Sequence, residues 1–169
     1  MSISTADVSA FNALTEAQAR ARLASCLAVP RWVDEVLRAR PYEDRQALLA
    51  RAESSASRLS DDELASALAG HPRIGERPGD GHDRAFSSRE QSGVDLAEEE
   101  VRRRLAEGNR AYERRFGHVF LLRAAGRSAA EVLGELERRL GNDETTEREE
   151  TVQNLREIAL LRLEKAVAP

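Results

Sequence analysis

The stretch Ser60-Asp61-Asp62-Glu63-Leu64-Ala65-Ser66-Ala67-Leu68-Ala69-Gly70-His71-Pro72 reads as one helix with both of its ends written in. Ser60 and Glu63 have the spacing of a capping box, in which a hydroxyl and a carboxylate each satisfy a backbone N–H of the first turn. The helix runs through Leu64 and Leu68 and ends at Gly70, because glycine tolerates the left-handed turn after a last helical residue. Pro72 disfavours a helical conformation at His71 and pushes it extended. The imidazole is thereby set just past a helix C-terminus, where the dipole favours its protonated form. Histidine gives and takes protons readily near neutral pH. Two readings of His71 stand: a proton-handling group held still by its backbone, or a polar residue at a helix end.

Outward from this stretch the same pattern recurs. Thr15 with Gln18, Ser128 with Glu131 and Thr146 with Glu149 mark three more helix starts. The helix from Ser128 carries Val132, Leu136 and Leu140 on one face and ends at Gly141. Pro30 suits the first position of a helix containing Trp32, Val33, Val36 and Leu37. Further helices are predicted from about Tyr42 to Ala56, with Leu48 and Leu49 inside, and from about Asp95 to Arg115. No convincing period-two strand is present. The run Val119-Phe120-Leu121-Leu122 would have no partner strand and reads as a buried helix or extended segment. The expected fold is all-α, a single compact domain over residues 1–169 with about eight to ten helices and a Gly/Pro-rich loop. That loop is the one break in the helical pattern: residues 70–93 hold five of the ten glycines and two of the five prolines. A long loop inside a helical domain is usually functional or disordered.

Composition removes several classes of function. The 26 basic and 30 acidic residues are interleaved, for a net charge of −4. No basic block or aromatic–basic alternation marks a nucleic-acid face, so no nucleic-acid partner is expected. No apolar run approaches the ~20 residues that a bilayer requires, so no membrane partner is expected. Neither a secretory leader nor a peroxisomal address is read at the ends. The single Cys26 cannot form an internal disulfide, which points to a reducing compartment, and a cytoplasmic location is expected. Lys165 is the only lysine and falls in the last turn of the final predicted helix, a poor place for Schiff-base chemistry. No dinucleotide-binding glycine pattern, P-loop or zinc-ligand spacing occurs. His71, His82 and His118 would have to meet to offer a metal site, and their spacing does not mark one. An enzyme here is expected to use neither a metal nor an organic cofactor.

Two further features ask for an explanation. Ser87-x-x-Glu90 is either one more capping box or the source of a carboxylate that orients His71 or handles a proton itself. Arg162 lies on the last predicted helix. At about 100° per residue, Val152, Leu155, Ile158, Ala159, Leu163 and Ala166 share one apolar arc, and Arg162 falls near its middle. A guanidinium there either snorkels or meets a structural carboxylate, or it awaits an anionic ligand that its planar fork matches.

Taken together, His71-Pro72-x-Ile74-Gly75, Ser87-x-x-Glu90-Gln91, Asn109-x-x-Tyr112-x-x-x-Phe116-Gly117-x-x-Phe120, Arg139-Leu140-x-Asn142 and Glu157-Ile158-x-x-x-x-Arg162-Leu163 form a series. With Trp32-Val33 ahead of them, the series resembles the 2-oxo-4-hydroxy-4-carboxy-5-ureidoimidazoline (OHCU) decarboxylase family of the urate pathway. The likeness covers nearly the whole chain in the same order. It implies an all-helical single domain, a homodimer, that decarboxylates OHCU to (S)-allantoin without metal or organic cofactor. By position, His71 matches the catalytic histidine and Pro72 lines the pocket beside it. Ser87, Glu90 and Gln91 match the polar residues that hold the substrate and orient the histidine. His118, Val119, Phe120, Leu121 and Leu122 match the segment whose backbone contacts the substrate. Arg162 matches the arginine that binds it. His118-Val119 stands where many members carry Phe-Pro, and His82 and Arg89 take no role from the likeness. The expected arrangement brings the regions around positions 71, 90 and 162 to one small cleft. Two rivals predict otherwise. One is a helical interaction module in which Ser87–Glu90 is only a cap and Arg162 only an ion pair. The other is a hydrolase of another ureide, with His71 as base for water.

Overall fold

Capping chemistry sets most of the helix boundaries. The computed structural model describes residues 5–74 and 99–167, and every regular element among them is an α-helix. They are α1 (Thr5–Ala13), α2 (Glu16–Cys26), α3 (Pro30–Arg38), α4 (Arg45–Ala56), α5 (Asp61–Ala69), α6 (Glu99–Phe116), α7 (Ala129–Leu140) and α8 (Glu144–Val167). The Thr15 hydroxyl accepts the Gln18 N–H at 3.1 Å, and the Gln18 side chain accepts the Thr15 N–H at 3.0 Å. Ser60 and Glu63 close their box in the same way, at 3.1 and 2.9 Å. At α7 only half of a box forms. Ser128 Oγ accepts the Glu131 N–H at 3.1 Å, while the Glu131 carboxylate takes the serine hydroxyl.

Three boundaries depart from expectation. Thr146 does not start the last helix, because the Asp143 carboxylate accepts the Thr146 N–H at 2.7 Å and the helix begins at Glu144. The helix expected from Tyr42 begins at Arg45, where Asp44 caps it by accepting the Ala47 N–H at 2.7 Å. Tyr42 is engaged elsewhere: Asn12 brackets its backbone with two 2.9 Å hydrogen bonds, and its hydroxyl donates to the Val36 carbonyl at 2.6 Å. Gly70 does not close α5 in a left-handed turn; among the described residues, positive φ belongs to Gly117 and Gly126. The end is closed instead by the His71 N–H, which donates to the Leu68 carbonyl at 3.1 Å. The helix expected from about Asp95 is described from Glu99 onward; residues 75–98, with most of the Gly/Pro-rich loop, lie outside the described residues.

The chain divides into two compact units, residues 1–67 with 155–169, and residues 68–154. In the first, α3 packs against α2 and α4, and α1 against α4. Pro30 takes the first position of α3, and Trp32, Val33, Val36 and Leu37 are all buried. The Trp32 indole N–H finds the Ala52 carbonyl at 2.9 Å, as a fully buried indole must. Leu48 is buried and Leu49 half-buried. Cys26 closes α2 with its sulfur 3.4 Å from the Arg22 carbonyl. Burial pushes its thiol up to about 11, against the opposing pull of a Ser25 hydrogen bond and the charges of Arg162 and Arg22.

In the second unit α6 and α7 pack together. Their core joins Leu105, Tyr112, Phe120, Leu122, Val132 and Leu136, with Ile74 and Phe116 against its edge. Gly108 permits the close approach: a Cβ there would sit 2.6 Å from Leu136 Cδ2 and 3.3 Å from its Cγ. No helix among the described residues is long and apolar enough to cross a membrane.

Helix propensity alone would make Gly108→Ala stabilising by about 1 kcal/mol. The Leu136 side chain has no exposed surface and would have to shift within the core. Overpacking of this kind costs about 1–3 kcal/mol, so the variant is expected to lose about 1 kcal/mol net in urea unfolding. At the start of α8, Asp143→Ala is expected to lower the unfolding midpoint clearly and Thr146→Ala far less. Equal effects would return the cap to Thr146.

Candidate active site

The short segment after α5 is held at three points. The His71 N–H is fixed by Leu68, as above, and its side chain is half-buried, with Pro72 exposed beside it. The Arg73 guanidinium meets the Glu113 carboxylate in a fork, Nε to Oε2 at 2.7 Å and Nη2 to Oε1 at 3.0 Å. Asn109 Nδ2 donates to the Ile74 carbonyl at 2.9 Å. Asn109 and Glu113 stand one turn apart on the same face of α6, so that face clasps residues 73 and 74 together. Asn109 is 3 % exposed, and its Oδ1 meets no donor among the described residues.

A second segment leaves the other end of α6. The Gly117 N–H still reaches the Glu113 carbonyl at 2.9 Å, but its φ of +79° turns the chain out of the helix, a conformation that suits a residue without a Cβ. His118 and Val119 are half-buried; Phe120, Leu121 and Leu122 are buried in a stretch without regular structure. The expectation is a buried helix or an extended segment; the stretch is not helical, and it is buried from Phe120 to Leu122. The His118 ring lies edge-on to Tyr112 at 5.5 Å, and its Nδ1 lies 3.0 Å from the Val119 carbonyl, so in this contact the nitrogen donates. Phe120 also meets Tyr112 edge-on, at 5.3 Å.

Beneath this segment lies a buried charge pair that the sequence reading did not assign. Arg139 has no exposed surface and Glu147 only 1 %. Arg139 Nε donates to both Glu147 oxygens, at 2.6 and 3.1 Å, Nη2 to Thr151 Oγ1 at 3.1 Å, and Nη1 to the Leu121 carbonyl at 2.8 Å. Its guanidinium lies 4.8 Å from the centre of the Phe120 ring. The Tyr112 hydroxyl donates to Glu147 at 2.8 Å, and burial holds that hydroxyl well above its ordinary pKa. The signal that flagged Arg162 was present here too. Arg139 follows Val132 by seven positions and Leu136 by three, on the apolar face of α7.

Among the described residues the N–H groups of Phe120, Leu121 and Leu122 meet no acceptor. Buried N–H donors are rarely left in that state, and a set of them can receive carbonyl or anionic oxygens of a small molecule. The His71 segment and the 118–122 segment are therefore both anchored on α6 within the second unit. Arg162 belongs to the first unit, half-buried on α8 among the buried Leu155, Ala159 and Leu163. Ser87, Glu90 and Gln91, with His82 and Arg89, lie outside the described residues. Among the described residues no group of three His, Cys, Asp or Glu side chains is placed to hold a metal ion.

Comparison with known proteins adds the chemistry. The model of the OHCU decarboxylase family matches residues 12–164. A crystal structure of OHCU decarboxylase in the presence of (S)-allantoin is similar, with a TM-score of 0.72 and 24 % identity over 84 % of this chain and 94 % of that one. A crystal structure of (S)-allantoin synthase is similar with a TM-score of 0.69 and 18 % identity over 94 % of this chain and 53 % of that one. No curated protein sequence matches. At these identities the structural likeness speaks for the all-helical fold, and the family match speaks for the activity. On that match, which takes in all but the two ends, the chain belongs to the OHCU decarboxylase family of carboxy-lyases.

Proposed function

We propose that this protein converts OHCU to (S)-allantoin with His71 moving the proton, Glu90 orienting His71 and Arg162 holding the substrate. The observation that carries the reading is the family match over residues 12–164, a span that contains all three positions. The local structure supports it. His71 sits on a segment fixed by Leu68, Glu113 and Asn109. A proton-transfer group needs that restraint more than it needs an exotic environment.

The reaction places modest demands on the protein. Cleavage of the bond to carbon dioxide leaves an electron pair on the ring carbon that bears the hydroxyl. The adjacent carbon–nitrogen double bond of the substrate accepts that pair, so no cofactor is invoked as electron sink. The hydroxyl then loses its proton as its carbon becomes a carbonyl, and the neighbouring carbon gains one. His71 serves as the acid/base for this exchange, and delivery from one face sets the handedness of the product. Arg162 anchors an anionic or carbonyl oxygen through its planar fork. Ser87, Gln91 and the backbone of residues 118–122 hydrogen-bond the ureido and ring groups, with Pro72 lining the pocket. The same reading takes residues 1–169 as one OHCU decarboxylase-like domain working as a cytoplasmic homodimer, in keeping with a single cysteine that cannot form an internal disulfide.

Because OHCU forms and decays spontaneously, the decisive assay is polarimetric. The compound is generated freshly from urate, and the protein is expected to speed the appearance of one allantoin enantiomer. His71→Asn should abolish that stereospecific acceleration while leaving the helical circular dichroism intact. Full activity in this variant would remove His71 from the mechanism. Arg162→Lys keeps the charge but loses the fork. It should lower kcat/KM roughly 10- to 100-fold, mainly through KM, as expected for losing ~1.5–3 kcal/mol of charge-assisted hydrogen bonding.

A further inference from the structure

The Arg139–Glu147 pair is too buried to touch solvent and too polar to be explained as packing. A well-packed apolar pair in its place would often leave a protein equally stable, so stability alone is a weak reason for its presence. Its geometry supplies a better one. Of the four groups that Arg139 meets, two belong to a single short segment: the Leu121 carbonyl at 2.8 Å and the Phe120 ring at 4.8 Å. The other two, Glu147 and Thr151, fix the guanidinium from α8. Glu147 is held in turn by the Tyr112 hydroxyl from α6, and by Asn142 Nδ2 at 3.3 Å.

A trans peptide sets its C=O and N–H on opposite sides of the bond. Arg40–Pro41 is the cis bond that the structure shows, so the Leu121–Leu122 bond is trans. Gripping the Leu121 carbonyl from the Arg139 side therefore aims the Leu122 N–H away from the pair. That N–H belongs to a residue only 5 % exposed and meets no acceptor among the described residues. We infer that Arg139 and Glu147 are positioning residues: they orient the Leu122 amide as a donor to the substrate of the decarboxylation. The inference rests on the reading above, in which the 118–122 backbone contacts substrate.

The test uses the full chain labelled with 15N-leucine and (S)-allantoin as the titrated probe. In the wild-type protein the Leu122 amide resonance is expected to shift as allantoin is added. Arg139→Met combined with Glu147→Leu replaces the pair by apolar side chains. It should unfold at a similar urea concentration, lose the Leu122 response, and raise KM for OHCU roughly tenfold or more with a smaller change in kcat. The pH dependence of kcat should not move, since neither residue carries the reacting proton. Arg139→Lys covers the case in which the double variant fails to fold, because one ammonium cannot grip both Glu147 and Leu121. A raised KM in it supports the assignment, and an unchanged KM overturns it. A wild-type protein that turns over OHCU but shows no Leu122 response overturns the positioning role and leaves the decarboxylase reading intact. A wild-type protein without OHCU turnover removes both.

Discussion

A guanidinium with no exposed surface must find acceptors for its donors inside the protein, and around Arg139 those acceptors come from two stretches of chain. Glu147 and Thr151 reach it from one helix, and the Leu121 carbonyl from the chain that passes over it. Stranding that charge by removing one partner would cost several kcal/mol, whereas ordinary apolar contacts tolerate sliding. The segment over Arg139 is thereby tied at the Leu121 carbonyl. On the same helix that supplies Tyr112 to this network, Asn109 and Glu113 hold the residues that follow His71. A single helix thus sets the placement of the two stretches to which the decarboxylase reading gives the proton chemistry and the backbone contacts.

What the sequence disclosed follows the range of the forces involved. The Thr15 and Ser60 boxes and the Pro30 start are local, made within one turn, and they stand where the letters put them. Where two local signals competed, the letters could not rank them. Asp143 and Thr146 are both good N-caps three residues apart, and the acidic one wins. Gly70 is permissive without being obligatory, and a simple turn suffices there. α1 has no counterpart among the expected helices.

The partners of the His71 segment lie 35 and 40 residues away in the chain, where no short-range spacing rule operates. Arg139 and Arg162 show the limit most clearly. Both interrupt an apolar helical face, and only one of them is completely enclosed. Periodicity says that an arginine faces inward; which acceptors wait for it is a property of the tertiary structure. The family likeness could name His71, Arg162 and the 118–122 segment, because motif order survives when contacts are not yet known. It gave no role to Arg139, although Arg139-Leu140-x-Asn142 was among the motifs that carried it.

The state of Cys26 has a chemical consequence. Thiols react with peroxides, disulfides and electrophiles as thiolates, and a sulfur whose proton is held to about 11 presents almost no thiolate at physiological pH. Enclosed at the end of α2, it is also screened from solvent-borne reagents. Both effects slow the reaction of the protein's one sulfhydryl with an oxidant in the surrounding medium.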